Sequence, residues 1–181
     1  MVSALGAALV AMVARICADS PKFADRRVLA EQLADDADRL RAELLGGGVR
    51  DETAFDAVVA AQALPRSDDV QKRTRAEALE LALSNAAQAP LDAAACSLGV
   101  LRLADRALLL PNRNLVSDVG CAAEFASAGL TSSAYNVRAN HLFMKNPATI
   151  AAQAQALTGL KSEAAALLES IRRTVADQLQ Q

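Results

Sequence analysis

"PLDAAACSLGVLRLADRALLL", Pro90–Leu110, sets Leu91, Ala94, Leu98, Leu101 and Leu108 at intervals of three, four, three and seven residues. That is the repeat of one helix face, so these side chains form a stripe turned toward a core. Pro90 fits a first helical position, where its missing N–H has no intrahelical partner to lose. A helix over about Pro90–Leu110 follows, and it makes the chain helical at its centre.

Outward from this helix the punctuation predicts about seven helices. The first runs from the N-terminus to about Ala18 and stops at "DSP" (19–21). The second runs from about Lys22 to Leu45, where "GGG" (46–48) ends it, as glycine commonly does past a helix C-terminus. The third starts near Asp51, a good N-cap, and stops at "LPRSDD" (64–69). The fourth occupies about Asp68–Ala89, and the fifth is the Pro90 helix. "PNRN" (111–114) reads as a loop, the sixth helix spans about Ser117–Met144, and "KNP" (145–147) separates it from a last helix starting at Pro147. The fold class is all-α, a single-domain bundle over residues 1–181 with no internal repeat.

Composition agrees. Alanine makes up about a quarter of the 181 residues, aromatics 3%, and there is no Trp. Strong helix formers dominate and strand formers are scarce. The net charge of −2, with both signs interspersed, leaves no footprint for nucleic acid. The densest basic stretch, "QKRTRAEALE" (71–80), reads as a solvated helix face. "MVSALGAALVAMVA" (1–14) is apolar, but fourteen residues fall short of the twenty or so that span a bilayer. It also lacks the leading basic residue of a signal peptide. It reads as a core helix of a cytoplasmic protein with no membrane partner. Cys17, Cys96 and Cys121 are read as buried free thiols in a reducing compartment. His141 is the only histidine, and no Cys or His pair has metal-ligand spacing, so no metal site is expected.

Polar residues in apolar surroundings are the candidates for chemistry. Asp51 shares a face with Phe55, Val58, Val59 and Gln62, and has a plain reading as an N-cap. "NLVSDVG" (114–120) puts Asn114 and Asp118 at the mouth of an Ala-rich helix. Capping and the helix dipole would account for Asp118, and a turn for Asn114. From Asp118, the positions Ala122, Phe125, Gly129, Ser133, Asn136 and Asn140 form one small or polar stripe. Asp118 and Asn136 are about 27 Å apart along a helix and cannot grip one small group within a subunit. The asparagines either bridge to other helices or serve a long ligand or a partner's site.

"SALGAALVAMVA" (3–14), "DETAFDAVVAAQALPR" (51–66), "APLDAAA" (89–95), "NLVSDVG" and "AYNVRAN" (134–140) occur in the order and approximate spacing of a known family. Over roughly residues 5–140 the chain resembles the cyclodeaminase/cyclohydrolase family. That family includes methenyltetrahydrofolate cyclohydrolases and the cyclodeaminase domain of formiminotransferase-cyclodeaminase. The resemblance implies an all-helical subunit, usually a homodimer, that handles a tetrahydrofolate derivative as substrate without a metal or other cofactor.

Carried over by position, the resemblance puts the family's acidic residue on Asp51. It puts the Asn and Asp of its "N–x–x–S–D" pattern on Asn114 and Asp118, and its "N–V–x–x–N" pattern on Asn136 and Asn140. Arg66 stands where the family usually carries lysine, and Lys22 where it has a Lys-rich turn. The family's N-terminal helix and its Gly-rich turn have no counterpart in this sequence. The implied reaction is addition of water to the cationic methenyl bridge between N5 and N10, opening to 10-formyltetrahydrofolate. Asp51 and Asp118 are the implied acid/base groups. Asn114 orients the substrate, and Arg66, Lys22 and Arg113 suit its glutamate carboxylates. The alternatives are the cyclodeaminase reaction, in which ammonia leaves as the methenyl compound forms, and a helical interaction module without catalysis.

Overall fold

The computed structural model describes residues 1–110 and 112–180, and every regular element among them is helical. Five long helices follow in order: α1 (Val2–Asp19), α2 (Arg27–Ala63), α3 (Asp69–Ala107), α4 (Val116–His141) and α5 (Pro147–Leu179). Short 3-10 segments, Pro21–Arg26 and Arg113–Leu115, lead into α2 and α4. The all-α class is as expected, whereas about seven helices become five. The expected "PNRN" loop includes Pro111, which lies outside the described residues.

Two expected boundaries are helix interiors. At Gly46–Gly48, α2 simply continues. Glycine ends a helix when it takes a left-handed φ, and none of the described glycines does. Each helical glycine costs about 1 kcal/mol relative to alanine. Burial of Ala30, Leu33, Ala34, Ala37 and Leu44 before the triplet, and of Val58 and Ala61 after it, outweighs that cost. Pro90 likewise lies inside α3, not at a helix start. The true start of α3 matches the expected punctuation. Asp68 accepts from Gln71 N–H at 2.8 Å, and the Gln71 side chain accepts in return from Ser67 N–H at 2.9 Å.

The main core joins α1 to α2, α3 and α4, while a smaller one (Val58, Ala61, Ala82, Leu83, Ala86, Ala87, Met144) fills the far end of the α2–α3 hairpin. α1 is apolar enough by composition to cross a membrane, yet half of it is buried in the bundle. It runs antiparallel to α4 with almost no space between them. A Cβ on Gly6 would sit 2.7 Å from the Ala122 carbonyl oxygen, and one on Gly129 would sit 1.8 Å from Ser3 Oγ. This contact explains the small stripe of α4: Ala122 and Gly129 are small because α1 lies on them.

α5 is clamped from outside. Arg102 of α3 binds Glu163 through two contacts of 2.6 and 2.8 Å, and Arg172 binds Glu124 of α4 at 2.7 and 2.9 Å. These arginines hold the Glu163 and Glu124 carboxyls below the usual carboxylate range. Their contribution is therefore present above that range and fades as pH falls through the lowered values. Glu80 of α3 accepts from the Lys145 and Asn146 N–H groups, both at 2.8 Å, and Asn146 caps α5.

The thiols differ from expectation in part. Cys17 is buried and Cys96 half-buried, but Cys121 is exposed, because it sits 100° around α4 from the Ala122 face that meets α1.

The glycines predict opposite signs for one substitution. Gly6→Ala should lower stability by about 1–2 kcal/mol, since overpacking against a backbone oxygen exceeds the gain in helix propensity. Gly159→Ala, where a Cβ meets nothing within 4 Å, should raise it by up to about 1 kcal/mol. Urea denaturation of the two variants checks both.

Candidate active site

Asp51 caps nothing. It lies well inside α2, so the plain reading the sequence allowed it is removed, and its exposed carboxylate borders two adjoining clefts. The first, about 240 Å³, is lined by Ser3 of α1, Gly47, Gly48 and Asp51 of α2, Ser97 of α3 and Asn136 of α4, among others. The second, about 520 Å³, shares Gly48, Asp51 and Asn136 and adds Phe55 and Asn140. α2 and α4 thus bring two carboxylates (Asp51 and Glu52), two amides (Asn136 and Asn140) and an aromatic ring to a common mouth. The glycines of "GGG" acquire a role here: without side chains they leave the first cleft open beside Asp51.

The floor of the first cleft is a pair of buried hydroxyls. Ser97 Oγ donates to the Ala93 carbonyl at 2.7 Å, so Ser3 Oγ, 2.8 Å away, is the donor to Ser97. Sequence reasoning missed this pair. A usable signal was present, because Ser97 interrupts the apolar stripe of Ala94, Leu98 and Leu101 at a core-facing position.

Asn140 is a bridge between helices, one of the readings its stripe allowed. Its Nδ2 donates to the Ala86 carbonyl at 3.0 Å. Ala86 is the residue four before Pro90, so its carbonyl is the one that Pro90, lacking an N–H, leaves open. The amide of α4 closes that gap in α3, and in doing so fixes the register that holds Asn136 opposite Asp51.

The other predicted residues lie elsewhere in the chain. Asp118 is half-buried in the first turn of α4, where the helix dipole favours a carboxylate. Asn114 and Arg113 are exposed in the 3-10 segment before it, and Lys22 is exposed in the segment after α1. Because α1 and α4 are antiparallel, these four gather toward the C-terminal end of α1, whereas Asp51 and Asn136 lie at its N-terminal end. Within one chain, "NLVSDVG" therefore does not wall the Asp51 cleft. Arg66 is exposed in the α2–α3 turn, beyond about 18 Å of helix from Asp51.

Among the described residues, no three His, Cys, Asp or Glu side chains converge as a metal would need. Cys96 is a poor nucleophile: burial, reinforced by the nearby Glu43 charge, pushes its thiol up to about 11.

A family model described as formiminotransferase-cyclodeaminase matches residues 1–158. The chain is 36% identical over 172 residues to a methenyltetrahydrofolate cyclohydrolase of Methylorubrum extorquens, an alignment covering 95% of this chain and 83% of that protein. Its fold matches the crystal structure of formiminotetrahydrofolate cyclodeaminase from Thermotoga maritima with a TM-score of 0.86, over 98% of this chain and 85% of that one. The sequence identity in that match is 20%, so the likeness is one of fold.

The Asn140 bridge has a measurable signature. Asn140→Ala should cost about 1–3 kcal/mol, the penalty of an unsatisfied carbonyl. In a Pro90→Ala background the restored N–H takes the Ala86 oxygen, and the same change should cost less than about 1 kcal/mol. A double-mutant cycle from chemical denaturation measures the difference.

Proposed function

The chain belongs to the formiminotransferase-cyclodeaminase family, and from that premise we propose that it is a methenyltetrahydrofolate cyclohydrolase, working without a metal. The observation that carries the mechanism is the open cleft where the uncommitted Asp51 carboxylate of α2 meets Asn136 of α4.

The substrate's N5–N10 bridge is an amidinium, an electrophilic carbon between two nitrogens. The Asp51 carboxylate takes a proton from water as the oxygen bonds to that carbon, and its charge steadies the cation beforehand. The tetrahedral adduct then breaks its C–N5 bond as N5 receives the proton from Asp51, the adduct's hydroxyl proton passes to water as the C=O forms, and neutral 10-formyltetrahydrofolate leaves with the carboxylate restored. Asn136 supplies both a donor and an acceptor to orient the substrate. Phe55, exposed at the mouth of the second cleft, offers a flat apolar face to a pterin or aminobenzoyl ring.

Asp118 and Asn114, with Lys22 and Arg113, form a second polar group at the far end of α1. We assign them to the same reaction only through a homodimer, in which one protomer's Asp118 group completes the site begun by its partner's Asp51. Leu5, Met12 and Ile16, exposed on one face of α1, support such an assembly, since scattered surface apolar residues seldom align on one stripe. Arg66, on the α2–α3 turn, suits the glutamate carboxylates. Free cysteines and a folate substrate support a cytoplasmic setting.

Asp51→Asn should lower turnover of methenyltetrahydrofolate at least about a hundredfold. The melting temperature should barely change, because the side chain is exposed and caps no helix. Near wild-type turnover would remove Asp51 from the mechanism. Formiminotetrahydrofolate in a parallel assay separates the cyclodeaminase reaction, whose adduct is also a tetrahedral carbon between nitrogens. Turnover should survive EDTA, and loss restored by zinc would overturn the metal-free reading. Light scattering should give twice 18.9 kDa for the active protein; full activity at the monomer mass would refute the shared site.

A further inference from the structure

A third concavity, about 440 Å³, lies between α4 and α5 over the buried Leu157. Its polar lining is Arg138, His141, Thr158, Lys161 and Ser162, with no carboxylate among the lining residues. Arg138 is two residues beyond Asn136 and so about 200° around α4. The concavity therefore opens away from the Asp51 cleft.

Its cations are uncommitted. Arg102 and Arg172 each close on a glutamate, but neither Arg138 nor Lys161 enters a salt bridge among the described residues. Two like charges on facing helices, with no carboxylate in the lining between them, suit an anion that can bridge both.

His141, also in the lining, is fixed by a chain of amides that begins at a carboxylate. Asp92 Oδ1 accepts from Gln88 Nε2 at 2.7 Å, which leaves Gln88 Oε1 as an acceptor. Gln153 Nε2 donates to that oxygen at 3.3 Å and to the Ser84 carbonyl at 3.2 Å. Gln153 Oε1 must then accept, so His141 Nε2, 2.9 Å away, carries a proton. Gln153 is buried, so this orientation is held by the interior and not by solvent. The Thr158 hydroxyl is spent on the Ala154 carbonyl at 2.8 Å, which leaves Ser162 as the hydroxyl with a free proton.

We propose that this concavity is a binding site for a dianionic oxyanion, held by the Arg138 guanidinium, the Lys161 ammonium and the Ser162 hydroxyl, with the His141 ring beside it as a fixed neighbour. The shared chemistry is a doubly charged group with several acceptor oxygens, either a phosphate or a dicarboxylate. The proposal is independent of the folate reaction, and its test needs no turnover.

His141 is the only histidine, so its ring protons give a single resolved reporter by NMR. Inorganic phosphate titrated into the full chain, with ionic strength held by chloride, should move that resonance along a saturating curve. Glutarate in a parallel titration tells whether a dicarboxylate serves as well. Arg138→Gln and Lys161→Gln should each weaken the phosphate response at least about tenfold, and Arg138→Lys, which keeps the charge but not the fork, should weaken it less. Both side chains are exposed, and unchanged far-UV circular dichroism of each variant verifies that it folds. A response that stays linear with phosphate, or saturates equally in all three variants, would overturn the site.

Discussion

The contact between α1 and α4 is the constraint on which the rest of the structure depends. With Gly6 against the Ala122 carbonyl and Gly129 against Ser3, the two helices approach about as closely as backbones allow. Such an approach admits little sliding, because each step along α1 would bring a Cβ to the place of a missing one. The direction of α1 then decides what lies at each end of α4. Ser3 arrives at the Asn136 end beside Ser97 of α3, and Cys17 arrives at the other end, near Asn112. An apolar helix with a membrane-like composition is thereby turned into the element that organises a polar site.

Much of this was legible in the sequence, and the failures have a common cause. The 3.6-residue stripe from Leu91 to Leu108, the Asp68 cap and the Asn146–Pro147 restart are local signals, each satisfied within a turn or two of the residue that carries it. Gly46–Gly48 and Pro90 are also local signals, and both were overridden by partners far away in sequence. The glycine triplet is held straight by packing on either side. Pro90 is tolerated because an amide fifty residues later reaches the carbonyl it leaves bare. No window of sequence contains both halves of that arrangement.

The site was legible by a different route. The motifs of a known family pointed to Asp51 as an acid/base group, and to Asn136 and Asn140 by position alone. Asp51 gains weight from the helix boundary that failed, since a residue inside a helix has no end to cap. Asn140 gains a structural role as a bridge between helices while still lining the second cleft. Asp118 keeps an ordinary electrostatic reason for its position, and its distance from Asp51 is set by the length of α1, which no motif encodes. The hydroxyl floor of the cleft and the open space beside Gly48 carried no motif at all, only an oddly placed serine and glycines that terminate nothing.

The bridge between Asn140 and the Ala86 carbonyl also makes positions 90 and 140 unequal in what each tolerates. Asn140 has a second acceptor within reach, the Asn136 carbonyl at 3.1 Å. An ancestor with this asparagine and an ordinary residue at 90 would have had both groups satisfied. An ancestor with the proline first would have carried a bare carbonyl between two helices until the asparagine appeared. Replacing the asparagine is therefore restricted by the proline, whereas replacing the proline leaves both groups satisfied. The proline in mid-helix thus leans on the asparagine, while the asparagine does not lean on the proline.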